Sequence, residues 1–110
     1  MTQPELLQRI KERLQELYGS RFRGLVLYGS VARGEERPDS DIDLICLLEG
    51  PVSLWTEIQK TTRAVYDLAL SQIDERGEFR AINIVPVEAS SYETGACHLY
   101  REAMREGVLV

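Results

Sequence analysis

The sequence predicts an α/β fold (α+β in arrangement), a small mixed β-sheet flanked by helices. Three observations carry this. Apolar residues at Leu6, Leu7, Ile10, Leu14 and Leu17 make a one-sided stripe at helical spacing. Two short runs, Phe22 to Tyr28 and Asp41 to Leu48, are rich in aliphatic and aromatic residues and end at Gly-Ser and Gly-Pro pairs, as strands do. A second helical pattern follows from Ser53, so helices alternate with strands in the way that layers helices onto a sheet.

The first helix is expected over Pro4 to Leu17, with Thr2 or Gln3 before it, Pro4 in its first turn and Gly19 as its stop. Phe22 to Tyr28 reads as a buried strand that breaks at Gly29-Ser30. The polar stretch Arg33 to Ser40, broken by Gly34 and Pro38, is expected to be a loop with room for one helical turn. Asp41 to Leu48 alternates at its start and is apolar throughout at its end, and Gly50-Pro51 closes it. Ser53 suits the cap of a helix running to about Gln72, with Trp55, Ile58, Val65, Leu68 and Ala69 on its apolar face. Phe79 to Val87 is the third strand, and Pro86 implies that it lies at a sheet edge or ends there. A last helix is expected over His98 to Arg105, with Leu99, Ala103 and Met104 inward and Gly107 ending it. The apolar ending Val108 to Val110 docks either on its own domain or on a partner.

A chain of 110 residues, with 44% hydrophobic and 28% charged residues, has the profile of one globular domain, expected over residues 1–110. No apolar run approaches the roughly 18 residues that span a bilayer, and the start lacks a signal-peptide pattern. No membrane contact is expected, and the expected location is cytoplasmic. Thirteen Lys and Arg against eighteen Asp and Glu give a net charge of −5. That balance argues against direct nucleic-acid binding by this chain alone. Cys46 and Cys97 are expected to be reduced thiols.

The most informative feature is Gly29-Ser30 followed by Asp41-Ile42-Asp43. Two acids at i and i+2 of a strand point to one face with α-carbons roughly 6.6 Å apart. Held about 4 Å apart, their carboxylates repel by roughly 4 kcal/mol at an effective dielectric of about 20, a cost removed by a divalent cation between them. Mg²⁺ prefers such carboxylates together with phosphate oxygens. A Gly at a sharp strand exit lets backbone N–H groups approach a phosphate, and the Ser30 hydroxyl adds a donor. Together these four residues suit a metal–triphosphate. One or two Mg²⁺ ions there would activate an attacking oxygen and stabilise departing pyrophosphate. Arg33 either meets phosphate or forms a surface ion pair, and Arg37 reads as surface. Asp67 reads as solvated or salt-bridged, Tyr28 as core, and His98 as a surface position at a helix start. Adjacent Cys97 and His98 do not share a zinc ion.

Leu27-Tyr-Gly-Ser-Val-Ala-Arg-Gly34 followed by Ser40-Asp-Ile-Asp-Leu44 resembles the signature of the minimal nucleotidyltransferases, small members of the DNA polymerase β-like superfamily. The resemblance is close over about residues 5 to 48. It implies a polymerase β palm-like fold in which Gly29 and Ser30 bind a nucleoside triphosphate while Asp41 and Asp43 are the catalytic Mg²⁺ ligands. It also implies a HEPN-type helical toxin as partner, ATP as substrate and AMP transfer to a partner hydroxyl, or neutralisation of that partner by contact alone. Association with a second copy of the chain stays open. Active relatives carry a third carboxylate on the third strand; here Asn83 stands at that position. Asn83 offers a weak oxygen ligand but no proton acceptor. Glu88 is the nearest alternative acid, and by strand parity it faces the opposite side unless Pro86 introduces a bulge.

Overall fold

The computed structural model describes residues 2–34, 41–73, 77 and 80–110. Strands β1 (Phe22–Tyr28), β2 (Ile42–Leu48), β3 (Ile82–Glu88) and β4 (Val108–Leu109) form one sheet in the order β3-β2-β1-β4. β1 runs antiparallel to β2 and β4, whereas β3 lies parallel to β2, so the sheet is mixed. The helices are α1 (Gln3–Tyr18), α2 (Gly29–Ala32), α3 (Leu54–Leu70), α4 (Ala89–Glu93) and α5 (His98–Glu106).

Alternation along the strands sorts the core into two layers. Leu25 and Leu27 of β1 and Ile42, Leu44, Cys46 and Leu48 of β2 pack with Leu6, Ile10, Leu14 and Tyr18 of α1 and Val65 and Leu68 of α3. The intervening Val26, Ile45 and Leu47 turn the other way and pack with Val87, Tyr92 of α4 and Ala103 of α5. Helices thus cover both faces of β2, which is why its end reads as an unbroken apolar run.

α1 follows its sequence signals. Glu5 N–H donates to Thr2 Oγ1 at 3.3 Å, and Gly19 ends the helix in the left-handed region at φ +55°. Its buried positions are Leu6, Ile10, Leu14 and Tyr18, in steps of four, so Tyr18 takes the inward place expected for Leu17, which is exposed. The tyrosine ends that row because its hydroxyl donates to Glu57 of α3 at 3.3 Å.

α3 starts after Ser53 as expected, but its inward face is Glu57, Thr61, Val65 and Leu68. That spacing turns Trp55 outward, where it is 72% exposed. The polar members of the face are tolerated because they are bonded: Thr61 donates to the Ile58 carbonyl at 3.0 Å, and Glu57 meets Tyr18 and Arg21.

β3 begins at Ile82, and Phe79 lies outside the described residues. The strand occupies the sheet edge, where Pro86 costs no ladder bond to a further strand. In α5 only Ala103 is buried; Leu99 and Met104, expected inward, are exposed. The ending Val108-Leu109-Val110 docks on its own sheet, pairing Leu27 with Val108 and Val26 with Leu109, and Val110 N–H donates to Leu25 O at 2.9 Å. A short helix, α2, begins at Gly29 ahead of the polar stretch, of which residues 35–40 lie outside the described residues, and α4 and β4 had no sequence signal. Both cysteines are free, Cys46 buried and Cys97 exposed. Among the described residues no helix is long and apolar enough to cross a membrane.

Candidate active site

The register of the sheet lines up three residues in one row: Tyr28 of β1 opposite Asp43 of β2, and Asp43 beside Asn83 of β3. Their parity is that of Val26, Ile45 and Val85, so all three side chains stand on the face covered further along by α4 and α5. Asp41 precedes β2 by one residue and shares this parity. Between the two acids, Ile42 is fully buried in the opposite layer and its N–H donates to the Ala81 carbonyl at 2.8 Å. Burying Ile42 therefore presents both flanking acids on the outer face.

Asn83 ties the pair together. Its Nδ2 donates to Asp43 Oδ1 at 3.2 Å and to Asp41 Oδ2 at 3.4 Å. Asp41 is exposed and Asp43 half-buried, so the carboxylates stay open to solvent on one side.

Gly29 brings the β1–α2 corner onto the same spot. It sits at φ +78°, and a β-carbon there would lie 2.7 Å from Asp43 Oδ2. Only a residue without a side chain lets the main chain approach the carboxylate this closely. Ser30 follows as the second residue of α2, and Val31 buries itself in the α1–α3 layer, which pins the turn. Gly29 thus lies beside Asp43 of the carboxylate pair, and Ser30 follows it in the chain.

Arg33 caps α2, with Nη1 3.7 Å from Glu106 Oε2 of α5. The two flank a recess of about 280 Å³ whose walls include Tyr28, Gly29, Leu99 and Glu102. Burial, and then the charge of Asp43, push the Tyr28 phenol above its ordinary pKa. The participation of α5 at this site was not apparent from sequence; the only available sign was that Glu102 and Glu106 stand one turn apart. Arg37 lies outside the described residues.

Glu88 is not brought to the pair. It is in register with Leu48, at the far end of β2, and its Oε1 accepts from Val52 N–H at 3.2 Å. The β2–β3 register runs unbroken through Pro86, so no bulge turns Glu88 to the other face. Asp67 is held by Arg13 through two bonds of 2.8 and 2.9 Å, which keeps its carboxyl below the usual range. The His98 side chain is solvent-facing, 3.9 Å from Glu102.

Among the described residues no cluster of three or more His, Cys, Asp and Glu is placed to hold a metal ion. The donor set at β2 is two carboxylates and one amide. It fits Mg²⁺, which binds through one or two carboxylates and completes its shell with water and phosphate oxygens. It lacks the Cys sulfur and His nitrogen ligands that predominate in zinc sites.

The model for the nucleotidyltransferase domain matches residues 7–107. Among solved structures, a proposed nucleotidyltransferase from Sulfolobus solfataricus superposes with a TM-score of 0.60 at 20% identity, covering 97% of this chain and 80% of that one. A toxin–antitoxin structure with AMP-PNP superposes with a TM-score of 0.57 at 17% identity, covering 93% of this chain and 69% of that one. At these identities the likeness is one of fold. A comparison with curated proteins finds no match.

Proposed function

This chain belongs to the nucleotidyltransferase domain family, and we propose from that premise that it transfers AMP from ATP to a hydroxyl on a partner protein. The partner is a HEPN-type helical toxin, of which this chain is the antitoxin. The observation that carries this reading is the meeting of Asp41, Asp43 and the Gly29 corner on one face of the sheet.

Asp41 and Asp43 are the residues that would hold Mg²⁺, which when bound supplies charge neutralisation at the triphosphate and at the oxygens that attack and leave. Gly29 admits the phosphate chain close to the main chain, and the Ser30 hydroxyl donates to its oxygens. Arg33, exposed beside the same corner, exchanges Glu106 for phosphate oxygen, a bond of one cation to an anion in either state. The half-buried Tyr28 stands opposite Asp43 in the β1–β2 register, at the side of the corner. The acceptor oxygen forms its bond to the α-phosphorus of ATP as the bond to pyrophosphate breaks, and its proton passes to Asp41, Asp43 or solvent, since the Asn83 amide cannot accept it.

A second reading is favoured by Asn83. An amide cannot take a proton, and a chain that binds nucleotide weakly or without turnover would neutralise its partner by contact alone. Incubation with labelled ATP, Mg²⁺ and the co-encoded helical partner separates the two. Label on the partner that disappears with Asp41→Ala/Asp43→Ala is expected. Neutralisation that survives the double substitution, without label on the partner, would overturn transfer in favour of contact.

A further inference from the structure

Resting on the reading of Asp41 and Asp43 as the cation-binding pair, we propose that Asn83 is a positioning residue that works by turning its amide. Its Nδ2 holds the two carboxylates together in the metal-free protein, and its Oδ1 faces the same point when a cation is bound there.

The chemistry of the groups dictates both orientations. Ionised carboxylates only accept hydrogen bonds, so only the NH₂ end of the amide can face them, as it does at 3.2 and 3.4 Å. An amide offers a cation a lone pair only at its carbonyl oxygen, so with one bound the NH₂ end is repelled and the carbonyl end attracted. The two ends are nearly equal in size, and the terminal torsion of Asn is broad and roughly two-fold, so the exchange is a half-turn of one bond. Asn83 is exposed, so packing does not oppose that turn, and the unbroken β2–β3 register keeps its backbone beside Asp43 throughout.

The consequence is a pair of acids that stays converged without a third charge. An aspartate at this position would add an anion to two that already repel, and would scatter them in the absence of metal. The amide instead offsets their repulsion before binding and supplies a neutral ligand afterwards. Residue 83 thus exchanges the proton-accepting ability of a carboxylate for pre-organisation of the other two.

The test uses Mn²⁺ and Mg²⁺ as probes, without nucleotide. In a ¹⁵N spectrum, the side-chain NH₂ pair of Asn83, assigned by its loss in Asn83→Asp, is expected to move as Mg²⁺ is added. Calorimetry with Mn²⁺ is expected to show binding weakened about tenfold in Asn83→Ala, the range for removal of a group that orients metal ligands. Asn83→Asp, which restores an oxygen ligand, is expected to bind Mn²⁺ at least as well as the unsubstituted chain but to melt lower without metal. Unmoved Asn83 signals at saturating Mg²⁺, with Mn²⁺ binding that needs Asp41 and Asp43 but not Asn83, would overturn the role of Asn83 and leave the proposed function standing. No Mn²⁺ binding by the unsubstituted chain would overturn both. Should Asn83→Ala fail to fold, the Mg²⁺ titration of the unsubstituted chain decides alone.

Discussion

Gly29 lies so close to Asp43 that a β-carbon at residue 29 would stand 2.7 Å from Asp43 Oδ2. Gly29→Ala therefore has two expected effects. Its φ of +78° costs an L-residue about 1–2 kcal/mol, and each kcal/mol lowers the melting temperature by roughly 4–8 °C in a domain of about this size. The new methyl also pushes the Asp43 carboxylate aside, so Mg-ATP affinity by calorimetry is expected to fall by about tenfold or more, in the range for disturbed metal ligands. Unchanged affinity in a folded Gly29→Ala chain would separate this corner from the binding site.

Glu57 is an acid at 4% exposure whose carboxylate accepts from Tyr18 Oη at 3.3 Å and from Arg21 Nη2 at 3.4 Å. Among the described residues no buried side-chain nitrogen or oxygen lacks a partner. Removing Glu57 breaks that condition, since the buried Tyr18 hydroxyl is left unpaired. Glu57→Ala is expected to lose about 2–3 kcal/mol in urea unfolding, and Tyr18→Phe about 1 kcal/mol. A loss from Glu57→Ala no larger than that of an exposed glutamate would show that the α1–α3 contact does not depend on these bonds.

Gly107 lies where α5 turns back into β4. A β-carbon there collides with the Ala103 carbonyl oxygen and comes within 2.7 Å of Val26 Cγ1. Neither neighbour can yield without moving α5 or β1. Gly107→Ala is expected to destabilise by about 1–3 kcal/mol and to release β4, read as faster amide exchange at Val110, whose N–H bonds Leu25 O. Retained protection at Val110 would refute the collision.

The cysteines differ in reactivity for a physical reason. Burial, reinforced by the charge of Glu57, pushes the Cys46 thiol up to about 12. The reactive thiolate is therefore scarce at neutral pH as well as inaccessible. A maleimide reagent is expected to label Cys97 alone in the native protein and both cysteines in denaturant, read by mass. Fast native labelling of Cys46 would show that the α1–α3 layer opens.

Arg13 and Asp67 set an acid-sensitive contribution. The Arg13 hydrogen bonds lower the Asp67 pKa from 3.8, so the folded state binds fewer protons there than the unfolded one. Its contribution is present above that value and is lost as pH falls through the lowered pKa. The melting difference between the unsubstituted chain and Asp67→Asn is expected to be larger at about pH 7 than at about pH 2, by scanning calorimetry. A difference that does not shrink on acidification would mean that the pair does not act through charge.

Much of the fold was legible because it rests on local signals. Thr2, Pro4 and Gly19 bound α1, the run from Phe22 to Tyr28 is β1, and Pro86 marks an edge strand. Trp55, Leu17, Leu99 and Met104 were assigned inward on hydrophobicity and lie exposed. In α1 and α3, bonded polar groups took the inward positions, Tyr18 and Glu57 to each other, which periodicity of apolar residues cannot register. The short elements α2, α4 and β4 are stabilised by what they pack on, not by propensity.

The spacing of Asp41 and Asp43, their shared face and the tight corner at Gly29-Ser30 were properties of the sequence, because strand alternation and glycine's freedom operate within a few residues. Tertiary structure decided what surrounds them: the parallel register that sets Asn83 against both acids, the distance of Glu88, and the approach of α5 to Arg33. These relations join residues some forty to seventy positions apart, and their energies exist only once the strands are paired. No local preference encodes them.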